Sequence, residues 1–574
     1  MKKLYTLVVA LALTISAYAQ PTITSFAPLT GSIGTLLTIT GTNLSALTSF
    51  SIGGVPAVVV SNDGTTLVGM VMPGAITGSV SVTTASGTVN SLSKFTVSLT
   101  LFPTMQEGSK LVGTSGSSDA FQGLAVDISA DGNTAIVGGK GDNNGAGAVW
   151  IYTRTGTTWT QQGNKLIGTG VVNESQGMSV ALSADGNTAI VGGTDDGDIG
   201  AAWIFVRNGG VWTQEGSKLV GTGSSSISAQ GESVALSADG NTAIVGGYKD
   251  NDGIGACWVY TRSGGVWTQQ GNKLVATDAV GTTIYQGKSV ALSADGNTAV
   301  VGGYRDNLNV GAAWVYTRNG NTWTQQGSKI VGTGGNYAQQ GYGIDISADG
   351  NTIVVGGWAD ESYAGAVWMF TRTGNIWTQQ GGKLIGSNGS NDAYQGKSVA
   401  ISADGNTVLV GGNNDNNGIG ATWVFTSTGS SWAQQGNKII GTGAIGNAHQ
   451  GESIALSADA NTAIFGGYYD NLGAGAAWIY ISLQSITTNV ISNNITSNVT
   501  VCPNPSNGLY ILNVDANIDA INYEITSVDG KTISCKKNVT DKTFSFDLNS
   551  ERAGIYFLKI ENNSFVKNIK LIKL

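Results

Sequence analysis

Cysteine and proline are scarce in this chain, with 3 Cys and 7 Pro among 574 residues, and there is a single histidine. So few cysteines exclude a disulfide-framework protein. Cys257 stands where other copies of the same segment carry Val149, Ala202, Ala313, Val367, Thr422 and Ala477, which marks it as a small core residue. Cys502 and Cys535 lie together near the C-terminus and could pair. The lone histidine, His449, occupies a position filled elsewhere by Phe121, Ser175, Ala229, Tyr285, Gln339 and Tyr394. Neither a Ser-His-Asp set, nor zinc-ligand spacing, nor a phosphate-binding glycine loop is present. With only 11% charged residues and a net charge of −8, no basic face is available for a nucleic acid. Disorder is excluded as well, because 41% of residues are apolar and sit in short regular runs.

Abundant glycine, 85 residues, alternates with Val, Ile, Trp and Tyr, as in many short strands joined by tight turns. The first 19 residues read as an export signal, with Lys2-Lys3, the apolar Leu4–Ala17 and the cleavage site Ala17-Tyr18-Ala19. Gln20 is then the mature start. The apolar run falls short of the roughly 20 residues a bilayer span needs, and no other segment is long and apolar enough.

A segment close to "SADGNTAIVGG" occurs seven times, phased on Asp131, Asp185, Asp239, Asp295, Asp349, Asp404 and Asp459. The period runs from 54 (185 − 131) to 56 residues (295 − 239), which signals a repeat architecture. Each unit divides into four strand-like pieces. An alternating first piece ends in Asp-Gly-Asn, a hairpin signal. A continuous small-apolar run follows, "NTAIVGG". The third piece carries Trp in every copy (Trp150, Trp203, Trp258, Trp314, Trp368, Trp423, Trp478), and the fourth carries a second Trp in six. Four strands per unit predict propeller blades, with small residues at the crowded axis and Trp further out. The last unit stops at Ser482 without a fourth strand, while a spare one, "QEGSKLVGTS", stands at Gln106–Ser115 ahead of the first unit. The expected fold is all-β: a seven-bladed β-propeller over 102–482, closed by its N-terminal strand. Lysines of the fourth strands, such as Lys165 and Lys218, read as edge charges that discourage strand pairing.

The Gln-Gly starts, the "DGNTAIVGG" core and the "GAAWVYTR…WTQQ" ending resemble FG-GAP-like repeats, the family of the integrin α-chain propeller, over about Gln106–Ser482. Phe of the family's "FG" is Gln in all seven copies. Family members of the integrin type hold calcium in an Asp-rich first hairpin. Here that hairpin is only Asp-Gly-Asn, too short for the roughly 6–8 oxygens calcium takes.

Comparison of the seven copies separates constant loops from variable ones. The Asp-Gly-Asn hairpin and the third-to-fourth connection barely change, whereas the second-to-third loop and the link to the next blade differ in every unit. In an up-and-down blade these two variable connections share one face, and binding usually resides on such loops. The candidate ligand-binding residues are Tyr248, Tyr304, Trp358, Tyr468, Tyr285 and Tyr394. Asp142, Asp195, Asp250, Asp306, Asp360, Asp415 and Asp470 are weak calcium candidates, with turn capping as the simpler role. No blade carries an acid that stands apart from its copies, so no carboxylate pair for catalysis is assigned.

Two flanking regions complete the chain. Residues 20–98 alternate apolar positions between Gly and Asn turns, predicting a small sandwich. Pro28, Gly31, Gly34, Thr38-Ile39, Gly41, Asn43-Leu44, Gly53 and Pro73-Gly74 resemble the IPT/TIG domain, an immunoglobulin-like fold. A Ser/Thr/Asn/Ile-rich linker occupies 483–500, and composition shifts towards lysine in 501–574. There Pro503-Asn504-Pro505, Gly508, Asp529-Gly530, Gly554-Ile555-Tyr556 and Lys570 resemble the type IX secretion C-terminal sorting domain. That resemblance implies a small β-sandwich, the type IX machinery as partner, and a secreted or surface-attached product after tail cleavage. The expected function is non-catalytic adhesion or binding to an unknown protein or glycan. The alternatives are a carbohydrate-binding accessory to polysaccharide use and an architectural surface-layer component.

Overall fold

Why the Asp-Gly-Asn turn is constant is visible in its bonds. In the second repeat Ser183 Oγ donates to Asp185 Oδ1 at 2.6 Å, and the Asn187 side chain donates to Asp185 Oδ2 at 2.9 Å. The Thr188 amide returns to Ser183 Oγ at 2.9 Å, while Gly186 takes the left-handed conformation with φ +64°. Arg207 Nε then donates to Asn187 Oδ1 at 2.9 Å and lies over the Trp212 ring at 5.4 Å. The turn is a closed set of local bonds, so each member is needed in place.

The computed structural model describes residues 19–170, 175–225, 227–429, 431–482, 499–502, 506–514, 520–527, 531–552, 554–562 and 566–573. These residues are all-β, with only one-turn segments such as Asp142–Gly145 between strands. They fall into two compact units, Met1–Ile486 and Thr487–Leu574. The export signal, the linker up to 498 and Pro503, Asn504 and Pro505 lie outside the described residues.

Within the first unit, the described residues of the repeat region form seven four-stranded antiparallel sheets. A typical one is Gln176–Leu182, Thr188–Gly193, Ala201–Asn208 and Val211–Gln214, side by side in chain order. The second strand is buried along its whole length, and the third-strand Trp residues are fully buried. In the last sheet the outer position is taken by Met105–Gln106, paired with Ala476–Ile481 through Met105↔Ile481 and Gln106↔Tyr480. A further bridge joins Leu111 to Ala477.

Successive innermost strands meet round a common axis. The alanines before the Asp-Gly-Asn turns bond amide to carbonyl in sequence: Ala130 to Ala184, Ala238, Ala294, Ala348, Ala403, Ala458 and back to Ala130, at 2.9–3.2 Å. The Gln of each Gln-Gly start is a second tie. Gln176 Oε1 accepts the Gly168 amide at 2.6 Å and Nε2 donates to the Gly168 carbonyl at 3.3 Å. Its neighbour Gly177 sits at φ +80°, where a Cβ would meet the Ala148 carbonyl oxygen at 2.5 Å, so only glycine fits. The fourth unit departs from this plan: Ala276 replaces the partner glycine, and Gln286 Nε2 is left without a hydrogen bond.

Residues 22–97 fold as two sheets. One holds Thr22–Ala27, Leu36–Thr42, Thr66–Met70 and Val58–Asn62, and the other is built round Gly78–Thr84 and Gly87–Val97. Leu37, Ile39, Phe50, Ile52, Val80, Val82 and Phe95 fill the space between them. This sandwich sits on the axis of the ring: Val60, Met70 and Met72 pack against the alanine circle. Gly34 approaches so closely that a Cβ there would meet the Ala458 carbonyl oxygen at 2.2 Å, and Thr100 Oγ1 donates to Asp404 Oδ2 at 2.8 Å.

The second unit is a separate small sandwich. Val499–Cys502, Leu509–Val514 and Thr543–Asp547 form one sheet; Thr532–Val539, Ile521–Ser527, Gly554–Glu561 and Val566–Lys573 form the other. Gly508 lies beside Asn549, whose Oδ1 a Cβ would meet at 2.3 Å. Tyr556 donates its hydroxyl to the Arg552 carbonyl at 2.7 Å, and Lys570 is exposed opposite Phe557. Cys535 is an exposed free thiol. Cys257 is buried, which pushes its thiol above the ordinary range, as suits a core side chain.

Candidate functional site: a blind axial cup and its aromatic arc

The Asp residues of the second-to-third loops are in ion pairs. Lys165 Nζ meets Asp142 Oδ2 at 2.5 Å, and Lys273–Asp250, Lys329–Asp306, Lys383–Asp360, Lys438–Asp415 and Lys110–Asp470 repeat the contact at 2.5–2.6 Å. The other carboxylate oxygen accepts a backbone amide, such as Ser117 N on Asp142 at 2.8 Å and Ser225 N on Asp250 at 2.7 Å. In the second unit the pairing residue is Asp196, with Lys218, and not Asp195. Counted from the preceding Gly193, Asp196 is the third residue, as Asp250 is from Gly247, and the exposed Asp195 accepts from Ser175 Oγ at 2.6 Å. These carboxylates are thus spread round the ring, one to each loop and each neutralised by a lysine. Among the described residues no group of three or more His, Cys, Asp or Glu could hold a metal ion. The fourth-strand lysines are loop anchors, not the free edge charges expected of them.

On the same face the candidate aromatics separate into two groups. Tyr248, Tyr285, Tyr304, Trp358 and Tyr394 belong to one continuous arc in which neighbouring rings meet edge-on or tilted. Centroids are 5.3 Å apart for Tyr248–Tyr285, 5.4 Å for Tyr285–Tyr304 and 4.9 Å for Trp358–Tyr394. Tyr342 joins the halves, 5.2 Å from Tyr304 and 5.8 Å from Trp358, and Tyr363 lies 5.4 Å from Trp358. Tyr468 is apart from this arc, stacked on His449 at 5.3 Å and edge-on to Phe121 at 6.0 Å. Burial holds the His449 imidazole below its ordinary pKa; its Nδ1 lies 3.1 Å from the Asn413 carbonyl. All six candidates are half-buried. Trp358 Nε1 has no hydrogen-bond partner.

The arc runs beside a cavity that strand comparison did not anticipate. The residue after each Gln-Gly takes five identities in seven units, Leu124, Met178, Glu232, Lys288, Tyr342, Lys397 and Glu452, and all seven line one axial cavity of about 270 Å³. Val126, Val180, Val234, Val290, Ile344, Val399 and Ile454 line it two residues further along the strands. Beyond lie the alanine circle and Met70 and Met72, so the sandwich stops the far end. The cavity is a cup open towards the variable loops.

Two ion pairs are set into its wall, Lys288–Glu232 and Lys397–Glu452, the latter at 2.8 Å. Burial opposes the Lys288 charge, but Glu232 and the Tyr342 phenol outweigh it and hold the ammonium above its ordinary range. Lys397 is raised in the same way against its burial, by Glu452 and Tyr342. Lys288 Nζ lies 4.9 Å from the Tyr342 ring centroid. The position after Gln-Gly is the most variable one on the innermost strand.

Two acids do stand apart from their copies, contrary to expectation. Asp127 and Asp345 occupy the place of Ala181, Ala235, Ala291, Ala400 and Ala455 on the innermost strands. Asp127 Oδ2 accepts the Leu182 amide of the next sheet at 2.6 Å, and Asp345 Oδ2 accepts the Ile401 amide at 2.8 Å. Each Oδ1 accepts its own following amide at 2.8 Å. Burial lifts both carboxyls to about 7, with Asp345 adding to the rise at Asp127. They lie one residue past the apolar wall and tie adjacent sheets together.

Residues 500–574 match the secretion system C-terminal sorting domain family, and residues 21–97 match the IPT/TIG domain family. The tail is a type IX sorting domain, which marks the protein for secretion and attachment at the cell surface or outer membrane. No helix among the described residues is long and apolar enough to cross a membrane. No curated protein matches the chain. Among solved structures, PorZ, a surface component of the type IX secretion system of Porphyromonas gingivalis, is similar at 12% identity and TM-score 0.38, covering 94% of this chain and 69% of that one. An auxiliary nutrient binding protein from Bacteroides thetaiotaomicron is similar at 12% identity and TM-score 0.34, over 80% of this chain and 97% of that one. A fungal alcohol oxidase of the AA5 family is similar at 14% identity and TM-score 0.42, over 81% and 100%.

Proposed function

We propose that this is a non-catalytic binding protein of the cell surface, in which a seven-bladed propeller presents its variable loop face to a macromolecule. The observation that carries this reading is the convergence of the aromatic arc on a cup closed at its far end. Ligand sites are concave with placed polar groups, and the cup sets Glu232, Lys288, Tyr342, Lys397 and Glu452 above a belt of Val and Ile. The opposite face is unsuited, because its turn side chains bond to one another and the sandwich covers its centre.

Catalysis is not favoured by the acids present. Each oxygen of Asp127 and Asp345 already accepts a backbone amide, and Glu232 and Glu452 are held by lysines. Calcium has no role in this reading, since the buried aspartate of each second-to-third loop carries a lysine ammonium and Asp195 stands alone. Half-buried rings beside a concave, polar cup suit sugars, and the reading takes a glycan as the partner.

A glycan and matrix-protein array on the full chain, with calcium and with chelator, tests the proposal. The expected result is a chelator-insensitive hit that the double variant Trp358→Ala/Tyr304→Ala weakens at least tenfold. A hit untouched by that variant moves recognition off this face, and the absence of any hit favours the architectural alternative.

A further inference from the structure

The charges on this face narrow the ligand beyond a glycan. Resting on the reading that the variable face binds, we infer that the cup and arc recognise an acidic polysaccharide. A terminal uronate-type carboxylate enters between Lys288 and Lys397, and the following sugar rings lie on the aromatic arc.

Lys288 and Lys397 flank Tyr342 on successive sheets of the ring, and each is braced from its far side by a glutamate, Glu232 and Glu452. Asn413 Nδ2 donates to Glu452 Oε2 at 2.5 Å and fixes the second brace. A lysine ammonium has three donors. The single glutamate contact at each leaves donors for an incoming anion, next to the Tyr342 hydroxyl. The two glutamates also set the charge of that anion. A singly charged carboxylate meets the Glu232 and Glu452 charges too, with about half the repulsion that a phosphate dianion would meet.

Outside the cup the same sign continues. Arg305 lies 4.9 Å from the Tyr285 ring centroid and 5.9 Å from that of Tyr304, and Lys249 lies 5.4 Å from that of Tyr248. Both are exposed, and neither has a carboxylate partner among the described residues. Within the cup Lys288 and Lys397 balance Glu232 and Glu452, while Lys249 and Arg305 lie on the rings and Asp252 and Asp392 are exposed on the same loops. These cations are gathered on the cup and arc of a chain whose net charge is −8. Such a patch steers an anionic chain to one place on a protein that otherwise repels it. Because the cup is closed below, it takes a chain end or branch and not a strand passing through.

The test is calorimetry of the full chain with three acidic probes, oligomers of galacturonate, glucuronate and mannuronate, each beside its methyl ester, at low and moderate salt. At least one acid should bind at least tenfold more tightly than its ester, and more weakly as salt rises. The variant Lys249→Gln/Arg305→Gln, which removes two exposed cations without orphaning a carboxylate, should weaken the acid several-fold and weaken the ester far less. The neutral-pair variant Glu232→Gln/Lys288→Gln should remove the preference for acid over ester. Equal affinity for acid and ester overturns the inference, as does acid binding indifferent to both variants. Failure of all three acids, with an array hit still lost in Trp358→Ala/Tyr304→Ala, overturns this inference alone. Failure of both experiments removes the binding reading with it.

Discussion

At one mouth of the ring the repeated turns bond inward, Ser183 to Asp185 and Arg207 to Asn187, and the sandwich caps the centre through Met70 and Met72. At the other mouth the same units end in Tyr, Trp, Lys and Arg side chains that lean on one another and on no common partner. The difference teaches that repetition and variation fall on opposite ends of the same strands. A residue that must hold the next blade cannot drift between copies. A residue that faces only the open cup can, and so Leu124, Met178, Glu232, Lys288 and Tyr342 share one structural position.

The comparison breaks most clearly in the buried tryptophans. Trp203→Ala removes a fully buried ring and should cost about 3–5 kcal/mol, whereas Trp358→Ala removes a half-buried ring on the variable face and should cost about half as much. Denaturant unfolding of both variants measures the gap, and equal losses would show that the arc is core and not surface. Next in size is the cap. Met70→Ala/Met72→Ala should loosen the sandwich from the alanine circle by about 2 kcal/mol or more, visible as faster proteolysis near 98–104. Unchanged cleavage there would mean that Gly34 and Thr100 hold the sandwich without the methionines.

A third contrast is in pH. Asp127 and Asp345 carry folded-state values of about 7, above the unfolded value of about 3.9. Between those values the folded state binds more protons, so stability falls as pH rises through the window, by at most about 1.4 kcal/mol per unit for each group. Melting temperatures at pH 5 to 8 should therefore converge for the native chain and Asp127→Ala/Asp345→Ala as pH rises, the native advantage being greatest at pH 5. Parallel curves would show that burial does not raise these carboxyls.

Much of this was legible in the chain. The period phased on Asp131 to Asp459, the four pieces of each unit and the two kinds of loop were all readable, because a turn that bonds to itself carries its own sequence signature. The IPT/TIG and sorting regions were legible from Gly and Pro positions. The cup was not, since Lys288 and Lys397 are a single residue each in separate units, 109 positions apart (397 − 288). Asp195 was taken for Asp196 because two adjacent acids look alike until the register from Gly193 is fixed. Asp127 and Asp345 were passed over among alanines of a buried strand.

By itself the sequence determined the all-β character, the strand period, the constant hairpin and the address on the tail, all of which are set by local conformational preference and short-range bonds. Only the tertiary structure decided that lysine meets each loop aspartate, that five of the six candidate rings form one arc, and that a neighbouring sandwich turns an axial channel into a cup. Those facts depend on residues brought together by closure of the ring, and a contact between distant units leaves no mark on either unit alone.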